Sequence, residues 1–232
     1  MKKNCKQNNQ SGMIEINIDP FLKEKCPTLV IGSINCEIQV RTSDNELIEE
    51  LENVTKNIET NLKIQDISTL PPIREGRKAY KKLGKDPARY RLSSEALLRR
   101  ILKGKGLTTV NNIVDINNLT SLKSYHPLCA FDSNQLQPPV IFTVGKEEDE
   151  YYGIGRGKLN IANMPVFEDK KGKFGTPTSD SERVKITDST HSISMNIISF
   201  TGNEGLELYM NLLENYLVKY ASANNVIRKT IF

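Results

Sequence analysis

The sequence predicts a mixed fold of helices and strands, and three observations support this. Apolar and polar residues alternate at Ile14, Ile16 and Ile18, which is the period of a half-buried strand. Apolar residues recur every three or four positions in the middle of the chain, which is the period of an amphipathic helix. Short apolar runs separated by turn residues follow Pro127. With 232 residues and 38% hydrophobic content, the chain is long enough to bury a core.

The N-terminal third is predicted to be scaffold. Strands at residues 14–18 and 29–40 precede a helix over residues 44–62, which Ser43 or Asp44 would cap. The outer face of that helix is acidic and would repel a polyanion, because it carries five glutamates: Glu46, Glu49, Glu50, Glu52 and Glu59.

Three helices are expected in the middle of the chain. Pro71 and Pro72 interrupt it as a connector, and a helix over residues 73–83 then ends at Gly84. Ser93 is expected to cap the second helix, and Asn111 or Asn112 opens the third. The inward face of the second helix is apolar and consists of Ala96, Leu97, Leu98, Ile101 and Leu102.

Strands dominate the chain after Pro127, and a packing helix over residues 204–221 ends the series. The expected strands cover residues 128–131, 140–144, 159–161, 166–174 around a turn at 169–172, and 191–200. The glycine-rich run at residues 153–159, GIGRGKL, lacks a following helix. It therefore predicts a glycine-rich hairpin rather than a nucleotide-binding loop.

Positive charge is concentrated in residues 74–105, which hold twelve lysines and arginines against three carboxylates. This segment is +9 in a chain of total charge +4, so the other residues sum to −5. Such asymmetry predicts one positive face for a polyphosphate partner, while the alternative is a solvated helix surface. The residues assigned to RNA binding are Arg77, Lys78, Lys81, Lys82, Lys85, Arg89, Arg91, Arg99, Arg100, Lys103 and Lys105.

Composition excludes several classes of protein. No apolar run approaches the ~20 residues of a membrane span, and the first ten residues are polar, so we expect a cytoplasmic protein without membrane contact. The four cysteines and two histidines show no zinc-ligand spacing, so we expect no metal and no other cofactor. The cysteines are expected to be reduced, with Cys26, Cys36 and Cys129 packed as small apolar residues.

The loop over residues 175–183 is the strongest candidate for a site. It combines hydroxyl groups, two carboxylates and Arg183, a set that can bind an ammonium group and a phosphate or carboxyl group. The alternative is a turn in which Ser and Thr side chains bond to their own backbone. Its candidate pocket residues are Thr178, Ser179, Asp180, Ser181 and Glu182.

Five short sequence segments resemble, in the same order, segments of the B3/B4 domain of the phenylalanyl-tRNA synthetase beta subunit. They are KKLGKDPARYRLSSEALLRRILKGKGL at 81–107, VDINNL at 114–119, PLCAFD at 127–132, GIGRGKLNI at 153–161 and FGTPTSDSERV at 174–184. The KDP, SSEALLRR and PTSDSER segments are more similar to the free-standing members. This resemblance implies an α+β fold with a β-rich core of unusual topology, flanked by helices. It also implies one domain over residues 1–232: a core at 70–200, N-terminal strands and a helix at 1–69, and a C-terminal packing helix and tail at 201–232.

The resemblance also implies roles for particular residues. An acidic residue of the corresponding loop recognises the hydroxyl of misacylated tyrosine, and Glu182 is the nearest match. Asn118 matches a retained asparagine, which either holds a loop or donates to the substrate. Cys129 replaces a histidine of many bacterial synthetases, so the pocket is expected to accept another amino acid or to have lost the activity. Packing is the favoured role for Cys129, since His126 does not form a catalytic pair with it.

Two functional hypotheses follow. The first is a trans-acting deacylase that hydrolyses the ester between a wrong amino acid and the tRNA 3′ end with a positioned water, so that neither a metal nor a catalytic triad is needed. The second is a non-catalytic module that binds tRNA, another RNA or an amino acid. No DNA contact is expected. A deep cavity at Glu182 and Cys129 would favour the enzyme, and a filled one would favour the module.

Overall fold

The computed structural model describes residues 14–232. Cys5 and the polar first ten residues lie outside this part of the chain. The helices are α1 Pro20–Lys25, α2 Asn45–Asn61, α3 Pro71–Lys82, α4 Ser93–Ile101, α5 Asn112–Ser124 and α6 Leu206–Ala221. The strands are β1 Ile16–Ile18, β2 Val30–Glu37, β3 Leu128–Asp132, β4 Val140–Val144, β5 Glu150–Gly153, β6 Gly157–Asn160, β7 Pro165–Asp169, β8 Gly172–Thr176, β9 Ser179–Asp180, β10 Ser192–Ser199 and β11 Asn224–Ile231.

The fold is α+β, as expected, and the strands form two larger sheets and one hairpin. The first sheet has the order β1-β4-β7-β8-β9, in which only β1 and β4 run parallel. The second sheet has the fully antiparallel order β11-β2-β10-β3. Strands β5 and β6 form the separate hairpin, which agrees with the interpretation of the glycine-rich run.

The second sheet is the middle layer of the molecule. One of its faces packs on the first sheet, where Phe131 contacts the rings of Phe167 and Phe174 with centroids 5.3 and 4.9 Å apart. Its other face packs on α5 and α6 through residues such as Ile34 and Met195. Both faces of β2 and β10 are therefore buried, although the sequence pattern predicted half-buried strands.

Local signals explain where α2, α3 and α5 begin. The Asp44 carboxylate accepts from Leu47 N at 2.9 Å and caps α2, and Asn111 caps α5 in the same way. Pro71 and Pro72 are the first residues of α3, because proline fits the first helical turn, where no backbone donor is needed. The expectation of a connector there was wrong.

Two further expectations were also wrong. Leu92, not Ser93, precedes the first residue of α4, and the Ser93 side chain makes no capping bond. The residues after α6 form β11, which covers the edge of β2, where a tail was expected. No helix among the described residues is long and apolar enough to cross a membrane.

Candidate functional site

A basic cleft of about 680 Å³ opens beside α4. The segment before α4, the segment after it, the β5–β6 turn, α5 and the β8–β9 turn all contribute to its walls. Its cationic side chains in the described part of the chain are Arg89, Arg91, Arg99, Arg100, Lys103, Lys105 and Arg156. The remaining lining residues are Ser93, Ala96, Leu97, Asn118 and Thr178, so the lining in the described region contains no carboxylate.

A buried carboxylate orients one wall of the basic cleft. Glu95 on α4 is fully buried and accepts from Arg99 Nε at 2.8 Å and from Arg77 Nη1 at 3.0 Å. Its charge is thus neutralised by two guanidinium groups, as a buried carboxylate requires. Arg99 lines the cleft, whereas Arg77, which also donates to the Pro87 carbonyl at 3.3 Å, does not.

The predicted RNA-binding set therefore divides. Six of its members line the cleft: Arg89, Arg91, Arg99, Arg100, Lys103 and Lys105. Lys85 does not, because its side chain is buried and its Nζ donates to Asn160 Oδ1 at 2.8 Å. Burial and the neighbouring Arg89 lower the pKa of Lys85. The exposed Lys78, Lys81 and Lys82 lie on α3 outside the cleft lining.

Arg156 was missed as a candidate cleft residue. It lies at the tip of the β5–β6 hairpin, between Gly155 and Gly157, whose φ angles of 64° and 69° suit a tight glycine turn. The glycine-rich run predicted only a hairpin, although an arginine at the centre of its turn is a sequence signal for a cation at the hairpin tip.

A cluster of buried hydroxyl groups lies behind Thr178. Tyr80 Oη and Thr178 Oγ1 are 2.9 Å apart, and Tyr151 Oη donates to the Ser179 carbonyl at 2.6 Å. The Thr176 hydroxyl accepts from Ser179 N at 3.1 Å and donates to the Ser179 carbonyl at 2.9 Å. The 175–183 loop thus contains a turn in which a Thr side chain bonds to the loop's own backbone, which was the alternative to a binding loop. Thr178 of the same loop also lines the cleft.

Asp180 and Cys129 lie next to this cluster, where β9 approaches β3. Asp180 Oδ2 accepts from Ala130 N at 3.2 Å, while its buried Oδ1 has no hydrogen-bond partner. Burial raises the pKa of Asp180 to about 7. Burial and the Asp180 charge raise the pKa of Cys129 well above its ordinary value, and its Sγ contacts the Thr176 carbonyl oxygen at 3.4 Å. The cysteine is therefore a packed, protonated thiol.

Gly175 is needed for this arrangement. A Cβ atom at Gly175 would lie 2.5 Å from the Phe131 ring and 3.1 Å from Asp180 Oδ1. A side chain there would displace the loop from β3, so the glycine of the FGTP segment keeps Asp180 against Cys129.

The other end of the loop faces solvent. The Glu182 side chain is 43% exposed and accepts from Lys185 Nζ at 2.8 Å, a bond that lowers the pKa of Glu182. The Arg183 guanidinium donates to both carboxylate oxygens of Asp169 at 2.9 and 3.1 Å. Because its charge is paired with Asp169, the structure does not support the expected role of Arg183 in binding a phosphate or carboxyl group. Neither Glu182 nor Cys129 lines the basic cleft. Of the candidate pocket residues, the structure brings only Asn118 and Thr178 to its lining.

His126 is far from any catalytic arrangement with Cys129. Its ring packs edge-on against Tyr209 of α6, with centroids 5.8 Å apart. Burial lowers its pKa to about 4, so the imidazole is neutral at pH 7.

Comparison with known proteins identifies the family. The B3/4 domain model matches residues 75–206, more than half of the chain, and the chain belongs to the B3/4 domain family. Among solved structures it is similar to an N-terminal fragment of the phenylalanyl-tRNA synthetase beta subunit from Pyrococcus horikoshii, with 11% sequence identity and a TM-score of 0.47. That similarity covers 95% of this chain and 51% of the fragment, so the chain spans about half of its length. No curated protein matches the chain.

Proposed function

We propose that this protein binds the aminoacylated 3′ end of a tRNA in the basic cleft and hydrolyses the ester there. The observation that carries the proposal is the cleft, in which seven cations converge without a lining carboxylate in the described region and meet Asn118 and Thr178. Each phosphate neutralised by such a surface releases condensed counterions, which favours binding. The resemblance of five sequence segments to the B3/B4 domain of a tRNA synthetase subunit supports a tRNA as the polyphosphate.

The hydrolysis needs few protein groups. Water attacks the ester carbonyl carbon, negative charge develops on the carbonyl oxygen, and the bond to the ribose oxygen breaks as that oxygen takes up a proton. The Asn118 amide and the cleft arginines are donors for the developing oxyanion. The Thr178 hydroxyl, held by Tyr80, orients the aminoacyl group or the water.

A deacylation assay tests this function. Wild type is incubated with a panel of misacylated tRNAs, and the hydrolysis rate of each is compared with its spontaneous rate. Loss of one oxyanion donor costs roughly 10²–10³ in rate at well-studied sites, and we expect a loss of that order for Asn118→Ala, with tRNA affinity retained. Asn61→Ala, on an exposed end of α2, is the matched control and should hydrolyse as wild type.

The second candidate is a non-catalytic tRNA-binding module. Two observations favour this module: Cys129 is fully buried, and the Glu182 side chain faces solvent. Neither side chain is therefore placed to contact an amino acid bound in the cleft. Salt-dependent tRNA binding without hydrolysis of any panel member would establish the module and reject the deacylase. Glu182→Ala should shift selectivity among aminoacyl groups only if the loop moves on binding.

A further inference from the structure

The β5–β6 hairpin presents an aromatic and an aliphatic side chain to solvent next to the basic cleft. Tyr152 is 66% exposed and Ile154 is 42% exposed, and they flank Gly153 on the strand that leads to the turn. Arg156, two residues after Ile154, lines the cleft. Exposed aromatic surface near a cationic groove is typical of single-stranded nucleic-acid contacts.

The hairpin is held rigidly against the protein. Ile154 N donates to the Asp180 carbonyl at 2.9 Å, and Gly153 pairs with Ser181. On the inner face, the Tyr151 hydroxyl bonds the Ser179 carbonyl. At the far end, Lys85 Nζ binds Asn160. The exposed ring of Tyr152 is thus a preorganised surface, which loses little conformational entropy when a flat group covers it.

The ion pair on the outer face of the hairpin leaves the phosphate contacts to the cleft. Tyr152 and Lys158 are cross-strand neighbours, and the Lys158 ammonium group is paired with Glu150 at 2.6 Å, which raises the pKa of Lys158. This pair adds no net charge beside the ring. A nucleotide stacked on Tyr152 would therefore place its phosphates against the cleft cations, of which Arg156 belongs to the same hairpin.

We propose that Tyr152 is a stacking platform for an unpaired nucleobase of the RNA whose phosphates occupy the basic cleft. The inference rests on the proposed RNA binding and adds a base-contacting site outside the cleft lining. Stacking is sequence-tolerant because every base has a π-face, so the platform holds the single-stranded end without selecting its sequence.

The chain contains no tryptophan, so Tyr152→Trp introduces one fluorescent reporter. Three RNA hairpins of equal stem serve as probes: one with a four-nucleotide 3′ overhang, one whose overhang has abasic nucleotides, and one blunt. We expect the base-containing overhang to quench the introduced indole and the abasic and blunt RNAs to leave its fluorescence unchanged. Leu208→Trp, on α6 with the same 66% exposure, is the matched control and should not respond.

Affinity gives a second readout. Tyr152→Ala should weaken binding of the base-containing overhang roughly tenfold, which is the loss of about one stack, and should leave the abasic overhang unaffected. Tyr152→Phe should bind as wild type because the ring is kept. An unquenched indole in Tyr152→Trp together with unchanged affinity of Tyr152→Ala would overturn the platform while RNA binding by wild type still supported the cleft. Failure of wild type to bind any of the three hairpins would reject the platform and the proposed function together.

Discussion

Burial shifts the ionisation of the Asp180 carboxyl group into the neutral pH range. It lies under the Thr176 to Thr178 turn, with one oxygen bonded to Ala130 N and the other unpartnered. An unpaired buried carboxylate is costly, so the proton is retained up to about pH 7. Protonation of this group therefore changes the charge immediately behind the cleft within the physiological pH range.

Asp180→Asn should remove a pH dependence of stability. The pKa of Asp180 is raised from 3.8 to about 7 in the folded state, so between these values the folded protein holds a proton that the unfolded chain releases. Stability of wild type then falls as pH rises from about 4 to 7 and is constant above, with a loss of roughly 4 kcal/mol at about 1.4 kcal/mol per pH unit. Urea unfolding at pH 4.5 and pH 8 should show Asp180→Asn gaining on wild type at the higher pH.

Glu182→Gln is the control for this experiment. The bond from Lys185 lowers the pKa of Glu182, so its contribution is present above the unfolded pKa and is lost as pH falls through the folded pKa, the opposite sign. Equal pH profiles for wild type and Asp180→Asn would show that the carboxylate is solvated in solution.

Cys129→Ala should retain deacylation. The thiol is fully buried and its pKa is raised, so it is neither a thiolate nor accessible to substrate. Peptide-resolved mass spectrometry after iodoacetamide treatment of the folded protein should find Cys129 unmodified. A loss of nearly all activity in Cys129→Ala, with an unchanged melting temperature, would contradict attack by water and indicate a covalent intermediate.

At the scale of elements, α4 combines two functions on different faces. Its inner face packs Leu98 and Ile101 into the core, and its outer face contributes Arg99 and Arg100 to the cleft. Glu95 connects them, because it binds Arg99 while lying in the interior. The helix thus fixes the position of the positive charge relative to the Thr178 turn, which it also meets through the 2.7 Å bond from Ser93 N to Pro177 O.

Reversing charge on this element should weaken RNA binding and flatten its salt dependence. The triple variant Arg100→Glu, Lys103→Glu and Lys105→Glu leaves Arg99 in place, because Arg99 neutralises Glu95. Filter binding between 50 and 200 mM salt should show the slope of log K against log salt reduced by about 2 to 3.

Reversal of Lys78, Lys81 and Lys82 on α3 is the matched control, with the same change of charge outside the cleft. It should lower affinity far less. Equal losses in the two triple variants would show that net charge, and not the cleft, governs binding.

At the scale of the whole molecule, β11 places a segment near the C-terminal end of the chain in the second sheet, which is the middle layer of the fold. It pairs with β2, buries Ile231 in the core between the sheets, and binds α6 through Arg228, whose guanidinium pairs with Glu214 at 2.8 Å and with Glu207. The two strands are separated by almost the full length of the chain. Their pairing makes the second sheet a contact between the two ends of the sequence.

Truncation after residue 223 should therefore destabilise the entire fold. It removes β11, exposes the edge of β2 and leaves Glu214 without its partner. We expect the melting transition, followed by circular dichroism, to be lost or lowered by more than ten degrees. Removal of the exposed Phe232 alone should change it little, and near-identical melting of the two truncated chains would argue against a structural role for β11.

The sequence by itself determined the elements whose signals are local. The amphipathic period and Asp44 predicted α2, the glycine-rich run predicted the β5–β6 hairpin, and the five segments indicated the B3/4 family. The clustering of cations in residues 74–105 also identified six of the seven cationic side chains that line the cleft in the described part of the chain. These properties can be predicted from the sequence because they depend on residues that are close together in the chain.

Only the tertiary structure decided which of these residues act together. Lys85 belongs to the same basic segment as Arg100, yet its burial and its bond to Asn160, which is distant in sequence, keep it out of the cleft lining. Arg156 joins the cleft because the hairpin folds back beside α4, and Glu182 is separated from Thr178 because the chain emerges to solvent after β9. The physical reason is that burial and ion pairing depend on contacts between distant segments, which residue periodicity does not encode.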